Sequence, residues 1–175
     1  TTLFRSVDAY RGTVATGIPG AIINTLTYPQ DRIDADMRVF HDYLTDLDTV
    51  DSDQIAVMGF CFGGRQSVVF AMNNPGAIQA VLTYYGGGQP RTEDALQPLA
   101  GEDIQVLGVF GEEDGSIPME DVEQFESSLE ALDVPVEIEV YEGVGHAFVK
   151  ELSGDSTSAQ AWERGLTFLD DTLSG

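Results

Sequence analysis

Apolar positions recur along this chain with two distinct periods. Between residues 31 and 47, Ile33, Met37, Phe40, Leu44 and Leu47 step by three and four with acids between them. That is the spacing of a helix with one apolar stripe. Residues 46–53 are polar, and the unbroken run Ile55-Ala56-Val57-Met58 then predicts a buried strand over 55–60. Helical spacing resumes over 63–73, with Val69 and Met72 on one face, until Asn73-Asn74-Pro75-Gly76 ends it. Two more apolar runs, over 80–85 and 104–110, predict buried strands, the first ending in Gly86-Gly87-Gly88. Pro118 opens a helix carrying Val122, Phe125, Leu129 and Leu132. Val136, Ile138 and Val140 alternate with Glu137 and Glu139, a strand with one wet face. Ala159, Trp162, Leu166, Leu169 and Leu173 form a last amphipathic helix. Near the start, Gly17, Pro19 and Gly20 mark a turn before a strand over 21–28, while residues 3–16 show no decisive period.

Strands alternating with helices predict an α/β fold, a mostly parallel sheet covered by helices on both faces in three αβα layers. At 175 residues, without repeats or low-complexity linkers, the chain reads as one domain over 1–175. Parallel sheets collect their sites at the carboxyl ends of strands. Chemistry-bearing residues should therefore follow the apolar runs.

Charge changes the picture of partners. There are 30 acids against 8 bases, a net charge of -22, and Lys150 is the single lysine. Such a field repels nucleic acid and anionic membrane. The 42% hydrophobic content and strong periodicity argue against disorder. Adaptation to high salt fits better, because the Debye length shrinks to about 3 Å near 1 M salt and screens self-repulsion. No apolar run is long enough for a membrane span and no leader pattern opens the chain. The one cysteine excludes an internal disulfide. The expectation is a cytoplasmic protein of a halophile.

The cysteine sits in Gly59-Phe60-Cys61-Phe62-Gly63-Gly64, between the 55–60 strand and the 63–73 helix. A sharp strand-to-helix turn with a nucleophile at its apex is the elbow of α/β-hydrolases, with cysteine here in the usual serine position. Gly59 and Gly63 are expected to allow the close approach of helix and strand. The Phe62 amide, at the helix start, is placed to donate to an oxyanion. Packing alone also accounts for a small cysteine at a strand end. After the 104–110 strand comes Gly111-Glu112-Glu113-Asp114-Gly115-Ser116, and after the next, Glu142-Gly143-Val144-Gly145-His146-Ala147-Phe148. Nucleophile, acid, histidine is the α/β-hydrolase chain order. A thiol needs a base to become thiolate, an imidazole can take that proton, and a carboxylate fixes the imidazole tautomer. Glu112 and Glu113 compete with Asp114, which is better placed before the Gly-Ser-Ile-Pro turn; any of them can also be a plain loop acid. His41, at the edge of an apolar helix face, reads as structural, whereas His146 stands at a strand exit.

Taken together, Gly59 to Gly64, Tyr84-Tyr85-Gly86, Gly111 through Pro118, Gly145-His146-Ala147-Phe148 and Ala161-Trp162-Glu163-Arg164 resemble the dienelactone hydrolase (carboxymethylenebutenolidase-like) family of α/β-hydrolases. The likeness runs from about residue 31 to the C-terminus. It implies Cys61 as nucleophile, His146 as base, Asp114 as its orienter, the Phe62 amide in the oxyanion hole and Tyr85 near the pocket. It also implies opening of lactone or ester carbonyls through a thioester, with no metal or organic cofactor. Residues 1–28 do not resemble the family's longer start, so early strands are expected to be missing or rearranged. A raw sheet edge would then favour a homodimer. Lys150 falls where the family holds a substrate carboxylate with a cation, or else is a solvated lysine. The rival expectation is a degenerate, non-catalytic binding domain on the same fold.

Overall fold

The computed structural model describes residues 4–17, 20, 23, 25 and 27–174. Backbone contacts divide the chain into two units, residues 1–52 and 53–175.

In the first unit, helix α1 (Gln30–Thr45) follows Pro29, whose fixed φ of -64° suits a helix start. The periodicity over 31–47 correctly marks this helix, and Ile33 is its buried residue. Arg11 forks onto the Asp36 carboxylate of α1. Tyr28 receives Tyr10 edge-on at 5.0 Å and the Arg32 guanidinium over its ring at 5.2 Å. The expected strand over 21–28 is not formed at the residues described. Ile23, Thr25 and Thr27 are helical, and the Thr27 hydroxyl donates to the Ile23 carbonyl one turn back at 2.7 Å. β-branched content suggested a strand, but such propensity is easily overridden. Gly17 and Gly20, expected in a turn, are helical too, while Pro19 and the remaining positions of that stretch lie outside the described residues. Ahead of Gln30 no described residue is in a strand.

The second unit follows the predicted alternation: β1 (Ala56–Phe60), α2 (Phe62–Asn73), β2 (Ala80–Tyr84), β3 (Gln105–Gly111), α4 (Met119–Ala131), β4 (Val136–Tyr141) and α5 (Thr157–Leu173). The loop after β2 holds one short helix that periodicity missed, α3 (Glu93–Leu96), capped by the Thr92 hydroxyl and running into a 3-10 turn. All four strands are parallel, in the order β1-β2-β3-β4. Their register pairs Phe60 with Tyr84, Tyr84 with Val109 and Gly111 with Tyr141, which aligns the carboxyl ends on one rim.

Side-chain alternation along β2 shows helices on both faces of the sheet. Thr83 points at α2, where a Cβ on Gly64 would stand 2.8 Å from its Oγ1. Leu82 and Tyr84 point the other way, at α5. There Gly165 leaves room for the Tyr84 ring, whose hydroxyl donates to the Ala161 carbonyl at 3.2 Å. β2 is buried throughout and β3 nearly so, as their unbroken apolar runs require. β4 departs from a simple dry and wet face: Val140 is exposed, while Glu137 and Glu139 both pair with Arg164 of α5. Among the described residues no helix is long and apolar enough to cross a membrane.

Candidate active site

Cys61 occupies the one residue between β1 and α2. Its φ of 51° and ψ of -117° place it in a backbone region that side chains rarely adopt. Two contacts hold the turn: the Cys61 amide donates to the Tyr84 carbonyl at 3.0 Å, and Arg65 N–H to the Cys61 carbonyl at 3.2 Å. The glycines divide the steric work differently from the expectation. A Cβ on Gly59 would overlap the backbone carbonyl of Gly63, and one on Gly64 would press on Thr83 and the Tyr84 carbonyl. A Cβ on Gly63 itself would meet nothing within 4 Å. Gly63 is therefore the backbone approached, and Gly59 and Gly64 are the residues that must lack side chains. Phe62 opens α2, so its amide belongs to the positive end of that helix.

Asp114 follows β3 and His146 follows β4, and the structure joins them. The His146 Nδ1 and Asp114 Oδ2 atoms are 2.7 Å apart. The Asp114 side chain is 1% exposed and the imidazole 37%. The other Asp114 oxygen, Oδ1, accepts from the Ser116 amide at 2.9 Å and from the Ser116 hydroxyl at 2.6 Å. Burial works against the Asp114 charge, but the bonds from Ser116 and His146 outweigh it and hold the carboxyl below its usual range. Glu112 and Glu113, the competing acids, are exposed; Glu112 accepts from the Gly143 amide at 3.4 Å. Close packing ties the two loops together, since a Cβ on Gly111 would overlap the Val144 carbonyl and Glu113 N–H donates to that same oxygen.

Tyr85 connects this pair with the elbow. It is 2% exposed with φ 39°, its ring meets His146 edge-on at 5.2 Å, and Phe148 and Phe60 lie 5.7 and 6.1 Å from it. Burial, then the proximity of Cys61, push its hydroxyl up to about 12, against a smaller lowering by a backbone hydrogen bond from Val149, so it stays neutral at ordinary pH. The Cys61 thiol is also pushed up, by burial first and the Asp114 charge second. Cys61 and His146 share no hydrogen bond in this structure. Lys150 is exposed in the loop beyond His146, its backbone amide donating to Ser158 Oγ at 2.7 Å, and it makes no ion pair with Asp114. His41, in the other unit, lies 3.5 Å from Asp42 on its own helix.

Motif reading missed Ser116. Its signal was present in the Asp-Gly-Ser order, since aspartate two residues ahead of an amide commonly closes on it.

The family model described as "Dienelactone hydrolase family" matches residues 8–173. A protein of Escherichia coli K12 named "Putative carboxymethylenebutenolidase" is 34% identical over 143 residues, covering 72% of this chain and 52% of the relative. The chain thus spans about half the length of the curated relatives it matches. A Klebsiella pneumoniae structure titled "Putative Dienelactone Hydrolase" aligns with TM-score 0.72 at 24% identity, covering 88% of this chain and 67% of that one. The structure of a dienelactone hydrolase-like promiscuous phosphotriesterase from metagenomic libraries aligns with TM-score 0.70 at 22% identity, covering 87% and 66%. At those identities the two structures speak for the α/β fold alone.

Proposed function

The chain belongs to the dienelactone hydrolase family, and on that premise we propose that it hydrolyses small lactones or esters with Cys61 as nucleophile, His146 as base and Asp114 as its orienter. The observation that carries this reading is the 2.7 Å contact from His146 Nδ1 to a carboxylate that is otherwise out of water, on the rim where β1 delivers Cys61. That contact assigns the Nδ1 proton to the Asp114 side of the ring and leaves Nε2 as the basic nitrogen. The family match also favours catalysis over the non-catalytic alternative.

The resting thiol is protonated, since both burial and Asp114 disfavour the thiolate. Reaction begins when the proton passes from Sγ to Nε2 as sulfur attacks the carbonyl carbon. The carbonyl electron pair moves to oxygen, and the Phe62 amide, at the positive end of α2, is the donor best placed to stabilise it. Collapse of this intermediate expels the alkoxide, which takes the proton from Nε2 and leaves an acyl-thioenzyme. A water then gives its proton to Nε2 and its oxygen to the carbonyl, and the thiolate leaves and is reprotonated. Asp114 stays ionised throughout and stabilises the imidazolium. Tyr85, packed on His146, would line the acyl side, and Lys150 would meet a substrate carboxylate only at the outer edge. The composition, with 30 acids and one lysine, supports action in a high-salt cytoplasm.

The test is hydrolysis of aryl esters and lactones in molar KCl by the wild type and by Cys61→Ala. Turnover should vanish in the variant, and brief exposure of the wild type to substrate should add one acyl mass to the Cys61 peptide. A Cys61→Ala protein that still turns over would overturn the assignment.

A further inference from the structure

Ser116 touches both polar partners at once. Its Oγ is 2.6 Å from Asp114 Oδ1 and 3.3 Å from His146 Nδ1. We propose that Ser116 is a positioning residue for the hydrolytic reaction, its hydroxyl holding the Asp114 carboxylate and the His146 ring in one closed three-membered network. The inference rests on the hydrolase reading above.

The aspartate side-chain torsion is soft. The carboxylate plane turns broadly about χ2, and one bond to a half-exposed imidazole leaves that rotation poorly determined. Here Oδ2 faces His146 while Oδ1 is gripped by two donors on Ser116, the amide and the hydroxyl. The hydroxyl has a single proton, and the short 2.6 Å contact with a carboxylate oxygen takes it. Toward His146 the same oxygen can then only accept, so Nδ1–H is shared between Oδ2 and Oγ. Both acceptors keep the proton on Nδ1, which keeps Nε2 available to receive the thiol proton. Turn closure does not require the hydroxyl, because the amide alone completes the Asp-Gly-Ser turn. Ser116 is also exposed. Its hydroxyl can therefore be removed while turn and fold remain.

The experiment compares wild type, Ser116→Ala and Ser116→Thr with an aryl ester, alongside Cys61→Ala, and records the Nδ1–H resonance of histidine-labelled protein. His146→Gln identifies the His146 signal, since the chain has only two histidines. Removing one hydroxyl bond at an exposed position should lower kcat about fivefold with KM within twofold. The low-field His146 proton should weaken or exchange faster in Ser116→Ala and return in Ser116→Thr, with most of kcat. Unchanged kcat and resonance in Ser116→Ala would overturn the proposal, as would a loss that threonine fails to restore. If Cys61→Ala proves active, the hydrolase reading fails, and the resonance still decides whether the serine holds the ring.

Discussion

Two influences on the Cys61 thiol point the same way: removal from water, and the negative Asp114 nearby. Both raise its pKa above that of an ordinary thiol, so Cys61 rests as a thiol, and under the proposed mechanism it becomes a nucleophile only when a base takes the proton. This contrasts with thiols that are permanently ionised beside a cation. Alkylation of the substrate-free protein by iodoacetamide should accordingly be slow at pH 7 and still be accelerating above pH 9. Mass spectrometry of the Cys61 peptide over a pH series gives the rate. A rate already at its plateau near neutrality would show that the thiol rests as thiolate.

At the level of elements, the elbow depends on how near α2 comes to β1. A Cβ at Gly59 overlaps backbone, which cannot be swung aside like a flexible side chain, whereas a Cβ at Gly63 finds empty space. Gly59→Ala should therefore cost about 1–3 kcal/mol, the usual range of overpacking in a tight core. Gly63→Ala, at a helical position, should be neutral or slightly stabilising. Urea denaturation of both variants checks the contrast, and equal losses would refute it. The same elements show what could be read from sequence. Buried parallel strands such as β2 and β3 leave unbroken apolar runs between glycines, and α4 and α5 carry a clear stripe, so their placement within a residue or two was legible. The stretch 21–28 was not, because Ile and Thr suit strands locally while helix formation was decided elsewhere. That Cys61, Asp114 and His146 would each follow a strand end was legible, because a parallel sheet fixes where loops emerge. Ser116 and the true roles of Gly59 and Gly64 were not, because a hydrogen bond to the second carboxylate oxygen and a backbone-to-backbone clash leave no periodic trace.

For the whole molecule, the net charge of -22 is the dominant long-range force. Several of the few cations are already engaged: Arg11 with Asp36, Arg91 with Asp121, and Arg164 with Glu137 and Glu139. These pairs are exposed or partly so, and solvent screening leaves each of them a small contribution. Salt weakens them, but it also screens repulsion among a much larger number of acids, and the second effect outweighs the first. The melting temperature should therefore rise steadily as KCl increases from 50 mM to 2 M. NaCl at equal concentration should give nearly the same rise, because screening depends on ionic strength rather than on the cation. A flat or falling curve would mean that the attractive pairs dominate. The Asp114–His146 contact lies largely out of solvent on its carboxylate side and is screened far less than the surface. Activity normalised to the folded fraction should then change little with salt, even while the folded fraction changes greatly. A normalised kcat that fell in step with screening would place the critical electrostatics at the surface instead of in the site.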